Sequence, residues 1–329
     1  MAAHPPSLKF GYSRRTDMNR RSFLATSLAA ALPAVSSTPK LDSSRVSVIT
    51  DEASRSPEAA IEFAKKFGLQ WLSLRNLPAP DNHGKSYHAL EPAELKLAAQ
   101  QFKDAGIRIA FLDTPFLKFA LPGTEPVRKT PEEPAARERR LTRDKLQFDN
   151  RMADLRKGIA AGQTLGCSSL RIFTFSRVAV PASIFPQIAE VIGPMADVAR
   201  REGVRLLIEN EASQNAGTSA ETAALLKLLP SNVGINWDSL NGIGLGEKPF
   251  PDGYNAVPKD RLWNVHVKGK SLLDYPEKLD WIPIFQALER DGFAGSLELE
   301  THIFGETQVA ASHASMAELL RLLNQFHAS

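Results

Sequence analysis

The stretch Gly295-Ser-Leu-Glu-Leu-Glu-Thr-His302 alternates with a period of two, so it reads as a β-strand with two unlike faces. Leu297 and Leu299 point one way, and Glu298, Glu300 and His302 point the other. An isolated strand of this pattern is half-buried with a solvated acidic face. Whether the acids face solvent or an interior depends on what the rest of the chain forms.

After residue 41 the chain repeats one unit, a short β-rich run followed by a turn and a helix-period segment of about ten to twenty residues. Eight runs are visible: "RVSVIT" (45–50), "QWLSLR" (70–75), "IRIAFLD" (107–113), "SLRIFTF" (169–175), "VRLLIE" (204–209), "VGINWD" (233–238), "LWNVHVK" (262–268) and "SLELE" (296–300). Helical patterns lie between most of them, including "SPEAAIEFAKKFG" with a Ser cap and a closing Gly, "EPAELKLAAQQFKDAG", "PASIFPQIAEVIGPMADVARREG" and "SAETAALLKLL". Strands alternating with helices imply parallel pairing through right-handed crossovers.

Eight units in about 290 residues predict an α/β fold of the (β/α)8 TIM-barrel type, a single domain over 41–329, its middle filled by branched apolar side chains. A doubly wound open sheet is disfavoured, because "ITDEASRSPEAA" after the first run lacks the glycine signature of a dinucleotide site. Two segments break the rhythm. The charged stretch 124–145 reads as a solvated extension of the third connection, and the Gly/Pro-rich 239–260 replaces a regular sixth helix near the barrel mouth.

Residues 1–40 read differently. Asn19-Arg-Arg-Ser-Phe-Leu24, an apolar run to about Leu32 and then Pro33-Ala-Val-Ser-Ser37 resemble a twin-arginine export signal, although Asn19 stands where Ser or Thr is usual and Ala25 where Lys is common. The run is about ten residues, too short for the ~30 Å of a bilayer core. The expectation is therefore a cleaved signal, the twin-arginine machinery as a partner, a periplasmic or exported location and no stable membrane anchor. Removing six basic residues and one acid from totals of 40 and 37 leaves 34 against 36, so the remaining chain is near −2 and carries no general footprint for nucleic acid. The lone Cys167 excludes an internal disulfide.

In a barrel of this kind, chemistry gathers at the C-terminal ends of the strands. Four consecutive runs end in candidate ligands: Glu209 in "LLIENE", Asp238 in "NWDSLN", His266 in "NVHVKG" and Glu300 in "LELETH". Burying three carboxylates together requires a compensating charge, which one divalent cation supplies. Carboxylates with one imidazole suit Mn²⁺ or Mg²⁺, with Co²⁺ and Zn²⁺ as alternatives.

These motifs, with "ITDEAS" and "LSLR" earlier and "HVKGK" later, resemble the xylose-isomerase-like barrel superfamily and its sugar phosphate isomerase/epimerase branch, over about residues 45–325. The resemblance implies that Glu209, Asp238, His266 and Glu300 bind one divalent metal and that Glu209 and Glu300 exchange protons with a hydroxy-carbonyl sugar through an enediolate. Asn241, Gly269 and Glu211 depart from the pattern, standing where relatives carry His, an acid and His respectively. Around the mouth, Lys268, Arg75, Lys118 and Arg177 are candidates to bind substrate oxygens, with Asn241, Glu211, His302 and Glu52 beside them.

The reading is a metal-dependent sugar isomerase or epimerase. Its alternatives are a lyase or dehydratase starting from the same enolisation, a phosphodiesterase like the endonuclease relatives of this barrel, and a non-catalytic exported sugar-binding barrel. Seven histidines in all weigh against the phosphodiesterase, whose relatives use three metals and many His ligands.

Overall fold

The computed structural model describes residues 40–81, 83–268 and 279–328. The export-signal reading therefore lies outside the described residues, as does the departure at Gly269. Among the described residues no helix is long and apolar enough to cross a membrane.

Eight parallel strands form one sheet, in the spatial order β1 (Val46–Val48), β8 (Ser296–Glu300), β7 (Leu262–Lys268), β6 (Val233–Asp238), β5 (Arg205–Glu209), β4 (Ser169–Ile172), β3 (Arg108–Phe116) and β2 (Trp71–Leu74). The two edge strands meet through a parallel bridge between Ile49 and Ser73, so the sheet is a nearly closed barrel. Each connection is long enough for the crossover that parallel pairing requires.

Local chemistry sets the helix ends. In the helix Pro57–Phe67, the Ser56 hydroxyl accepts from the Ala59 N–H at 3.1 Å, Pro57 takes the first turn, and Gly68 closes the helix in the left-handed region at φ 65°. A capping box of Thr218 and Glu221 starts the helix Ser219–Leu226. Outward-facing Leu297 and Leu299 are fully buried under the helical layer, each worth about 1.5–3 kcal/mol of apolar burial.

Three sequence expectations change. The charged stretch 124–145 runs into a 32-residue helix, Pro134–Leu165, and is not simply solvated. Arg140 and Asp144 are buried because Arg140 pairs with Glu132 at 3.0 Å and Glu125 at 3.1 Å and faces Asp144 at 3.7 Å. Opposite charges that pair can leave water, which a count of charged residues does not reveal. β4 ends at Ile172, three residues early, because the Asn215 side-chain amide donates to the carbonyls of Thr174, Phe175 and Ser176, and Phe175 turns at φ 62°. The irregular 239–260 does lack a regular helix, holding short turns such as Ile243–Leu245 and Tyr254–Ala256.

The third correction concerns the barrel interior, which is polar where branched apolar side chains were expected. Ser47 and Ser73 share a 3.0 Å hydrogen bond at the β1/β2 side. Asp113, Arg171, Asn236, Asn264, His266 and Glu298 are all buried within it. Inward acids on β3, β5, β6 and β8 require polar partners at the same depth, and these displace the apolar layers.

Cys167 is buried just before β4, its Sγ donating to the Ser169 carbonyl at 3.3 Å, and burial pushes the thiol up to about 12. At pH 8 its thiolate fraction is then about 10⁻⁴, against about a quarter for an ordinary thiol. The native protein is expected to resist a disulfide exchange reagent at pH 8 and to release one equivalent of thiol only when denatured. Rapid titration of the native protein would contradict this burial.

Candidate metal centre

Strand register assembles the site. Asp238 pairs laterally with His266, His266 with Glu298, and Lys268 with Glu300, while Glu209 lies beside Asn236. Because alternate residues of a strand face inward, the ends of β5 to β8 aim Glu209, Asp238, His266 and Glu300 at one point. One ligand atom from each lies within 4.8 Å of all the others, and all four residues are buried. Sequence reasoning named this quartet, and the fold brings it together.

Each member is held by neighbours that leave one face toward the common point. Asp238 Oδ1 accepts from the backbone N–H groups of Leu240 at 2.8 Å and Asn241 at 3.0 Å, which turns Oδ2 inward. The Asn210 side chain clamps the Asp238 main chain from both sides at 2.8 Å. Glu209 accepts from Arg171 at 2.8 Å and from Asn241 Nδ2 at 3.2 Å. His266 Nδ1 is buried and has no hydrogen-bond partner, facing Glu300 Oε2 at 3.3 Å, Asp238 Oδ2 at 3.6 Å and Glu209 Oε2 at 3.8 Å.

Beneath the quartet sits a second polar layer. His266 Nε2 lies 2.9 Å from the Asn236 amide and 3.7 Å from both Asp113 Oδ1 and Glu298 Oε2. Asn264 donates to Glu298 at 2.7 Å and to Asn236 at 2.9 Å. Arg171 faces Asp113 Oδ1 at 3.1 Å, completing a bridge between Asp113 and Glu209.

Burial alone would neutralise these groups, but their partners decide their charge. It is opposed at Glu300 by Lys268, and Glu300 is held well below the usual carboxylate range. Asp238 is likewise lowered, Lys268 and His266 outweighing desolvation. At His266 desolvation is overcome by Glu209 and Glu298, which lift the imidazole well above its ordinary value. Glu298 is pushed up to about 8, first by burial and then by Asp113, so it keeps its proton at neutral pH.

The donor set fits a divalent ion. Around it six carboxylates (Asp51, Glu52, Asp113, Glu209, Asp238 and Glu300) face four cations, Arg75, Arg171, Lys268 and the raised imidazole of His266. That excess of negative charge, with a buried imidazole nitrogen lacking any donor or acceptor, is the environment a cation relieves.

The other predicted residues separate into two groups. Lys268, Asn241, Arg75, Glu52 and His302 surround the quartet. Arg75 donates to Asp51 at 3.1 Å and Glu52 at 3.0 Å and lies 3.6 Å from Glu300 Oε1. Glu52 also accepts from the His302 backbone N–H at 2.9 Å, holding His302 at φ 49°, with its half-exposed ring 3.7 Å from Glu300. Lys118 pairs with Glu211 at 3.7 Å and stands over the Phe173 ring, along a groove that Arg177 also lines. Arg177 itself is committed to Glu221, at 2.7 and 2.9 Å, where it buttresses a helix start.

Sequence reasoning missed Asp113, Arg171, Asn210, Asn236 and Asn264. Two had signals: Asp113 ends "IRIAFLD" as Glu209, Asp238 and Glu300 end their runs, and Arg171 interrupts the apolar "SLRIF".

A model of the xylose isomerase-like TIM barrel family matches residues 61–325. The chain belongs to this family. Among solved structures, this xylose isomerase-like barrel is similar to an L-ribulose 3-epimerase at 15% identity and a TM-score of 0.61, covering 87% of this chain and 96% of that one. It is also similar to the apo form of the 3-keto-D-glucoside 4-epimerase of E. coli, at 14% identity and a TM-score of 0.58 over 84% of this chain and 98% of that one. A xylose isomerase-like TIM barrel protein from Mycobacterium smegmatis in complex with magnesium shares 14% identity, with a TM-score of 0.60 over 85% and 96% of the two chains. No curated protein matches the chain in sequence. At such identities the likeness carries the fold, and the chemistry rests on the site.

Proposed function

We propose that this xylose isomerase-like barrel is a divalent-metal-dependent isomerase or epimerase of a sugar or sugar-like hydroxy-carbonyl compound. The observation that carries the reading is the buried quartet of Glu209, Asp238, His266 and Glu300, whose donor atoms converge within 4.8 Å at the ends of four successive strands. The sugar epimerases of the same fold support the substrate class.

Those four residues would hold the ion, with Mn²⁺ or Mg²⁺ favoured by an oxygen-rich shell. When bound, it supplies Lewis-acid polarisation of a substrate carbonyl, which acidifies the neighbouring C–H. The protein side chains do the rest. Glu300, an ionised carboxylate at the end of β8, is poised to accept a proton from carbon. Glu209, on the far strand of the quartet, is aimed by Arg171 and Asn241 so that it can return a proton from the other side. Arg75 and His302, both beside Glu300 Oε1, stand where substrate hydroxyls would enter.

The test is metal binding followed by isotope exchange. Protein stripped with a chelator and titrated with Mn²⁺ is expected to bind one ion per chain, and Asp238→Ala to lose that binding by at least about tenfold. Loaded protein is then expected to move deuterium from D₂O into the carbon next to the carbonyl of a ketose or 3-keto sugar. Failure to bind Mn²⁺, or binding untouched in Asp238→Ala, would overturn the reading.

A further inference from the structure

We propose that Lys268 is a resident counter-ion of the metal centre, its ammonium standing at the coordination point, and that a divalent ion binds by displacing it. The proposal rests on the metal-centre reading above and concerns what the chain itself brings to that site.

Lys268 and His266 lie two residues apart on β7, so both side chains point into the barrel. Register places Lys268 directly beside Glu300. Its side chain is 5% exposed, and Nζ lies 2.8 Å from Asp238 Oδ2 and in contact with Glu300 Oε2. These are the same two oxygens that face the unpartnered His266 Nδ1, at 3.6 and 3.3 Å. The ammonium therefore sits against two of the oxygens that would hold a metal.

A protonated amine has no lone pair to offer as a ligand, and a dication at bonding distance from Asp238 and Glu300 would repel it strongly. The two occupants exclude each other. Without a metal, Lys268 spares the fold the cost of two uncompensated buried carboxylates, so folding does not wait for the ion. With a metal, the flexible four-carbon stem lets the ammonium swing away while remaining tethered at the end of β7. Metal affinity is thus a difference between two cations competing for the same oxygens, and occupancy delivers a mobile positive charge to the substrate mouth.

The test uses Mn²⁺ alone, with free ion followed by its electron paramagnetic resonance signal, on the wild type, Lys268→Met and Lys268→Arg. Lys268→Met is expected to bind Mn²⁺ roughly ten- to a hundredfold more tightly than wild type, the worth of one charge-assisted hydrogen bond removed from the competition. Lys268→Arg keeps the charge and is expected to show no gain. Equal or weaker binding by Lys268→Met, with wild type still binding one ion, would overturn this proposal and leave the metal-centre reading standing. No binding by any of the three would overturn both. A second measurement needs only the wild type: brief reductive methylation read by mass spectrometry, with the exposed Lys129 as internal reference. Lys268 is expected to label several-fold faster with Mn²⁺ present, and an unchanged or slower rate would count against displacement even if Lys268→Met did not fold.

Discussion

Glu300→Gln is expected to reduce proton exchange between substrate and solvent by about 10² to 10⁴, the usual worth of a positioned general base, with the fold intact. The amide cannot accept a proton from carbon, yet it fills the same volume between Lys268, Arg75 and His302. The contrast is Glu298→Gln. Glu298 lies one pleat repeat deeper, about 6.6 Å down the strand, hydrogen-bonded to Asn264 and already protonated at neutral pH. Glutamine closely mimics the neutral acid, so exchange is expected to persist within a few-fold of wild type. Deuterium uptake by loaded protein measures both. Exchange that survives in Glu300→Gln and disappears in Glu298→Gln would place the reacting end of β8 one repeat too high.

The largest loss of stability is expected from Arg171→Met. Arg171 is buried, and its guanidinium joins Asp113 and Glu209 while donating to the main-chain carbonyls of Asp113 at 3.1 Å and Thr114 at 3.2 Å. Methionine keeps much of the apolar stem but leaves Asp113 and Glu209 without their shared ion-pair partner and the two carbonyls without that donor. Breaking a buried charged network from one side typically costs about 3–5 kcal/mol. Urea unfolding, read as a shift in midpoint at constant slope, gives the value. A loss below about 1 kcal/mol would mean that the network behaves like a solvated surface pair. Mn²⁺ is expected to restore part of the loss, because it supplies positive charge to Glu209 from the other side.

Much of this organisation is carried by local pattern. The cap of Ser56, the closing Gly68 and the alternation of strand and helix are properties of a few neighbouring residues, and they already imply parallel strands with crossovers. Period-two alternation likewise separates Leu297 and Leu299 from Glu298 and Glu300, whatever the strand packs against. The ends of β5 to β8 could be read as ligands for the same reason, since Glu209, Asp238 and Glu300 are the last inward residues of their runs and His266 is the inward residue just before Lys268.

Charge partnership is not local, and there the sequence is silent. Asp113 and Arg171 stand on neighbouring strands 58 positions apart, and both meet Glu209 or His266 only because the sheet curls into a barrel. Arg177 resembled a substrate cation by its place after β4, but an adjacent helix start captured it through Glu221. The buried Arg140 looked like part of a solvated run until Glu125 and Glu132 were folded against it. By itself the sequence determined the eight-unit alternation, the inward face of each strand and the four ligand candidates, because side-chain direction follows from backbone period. Only the tertiary structure decided that the barrel interior is polar, that Glu298 keeps its proton beside Asp113, and that Lys268 lies among the metal-facing oxygens, because burial and Coulomb energy depend on distances that the closed barrel alone sets.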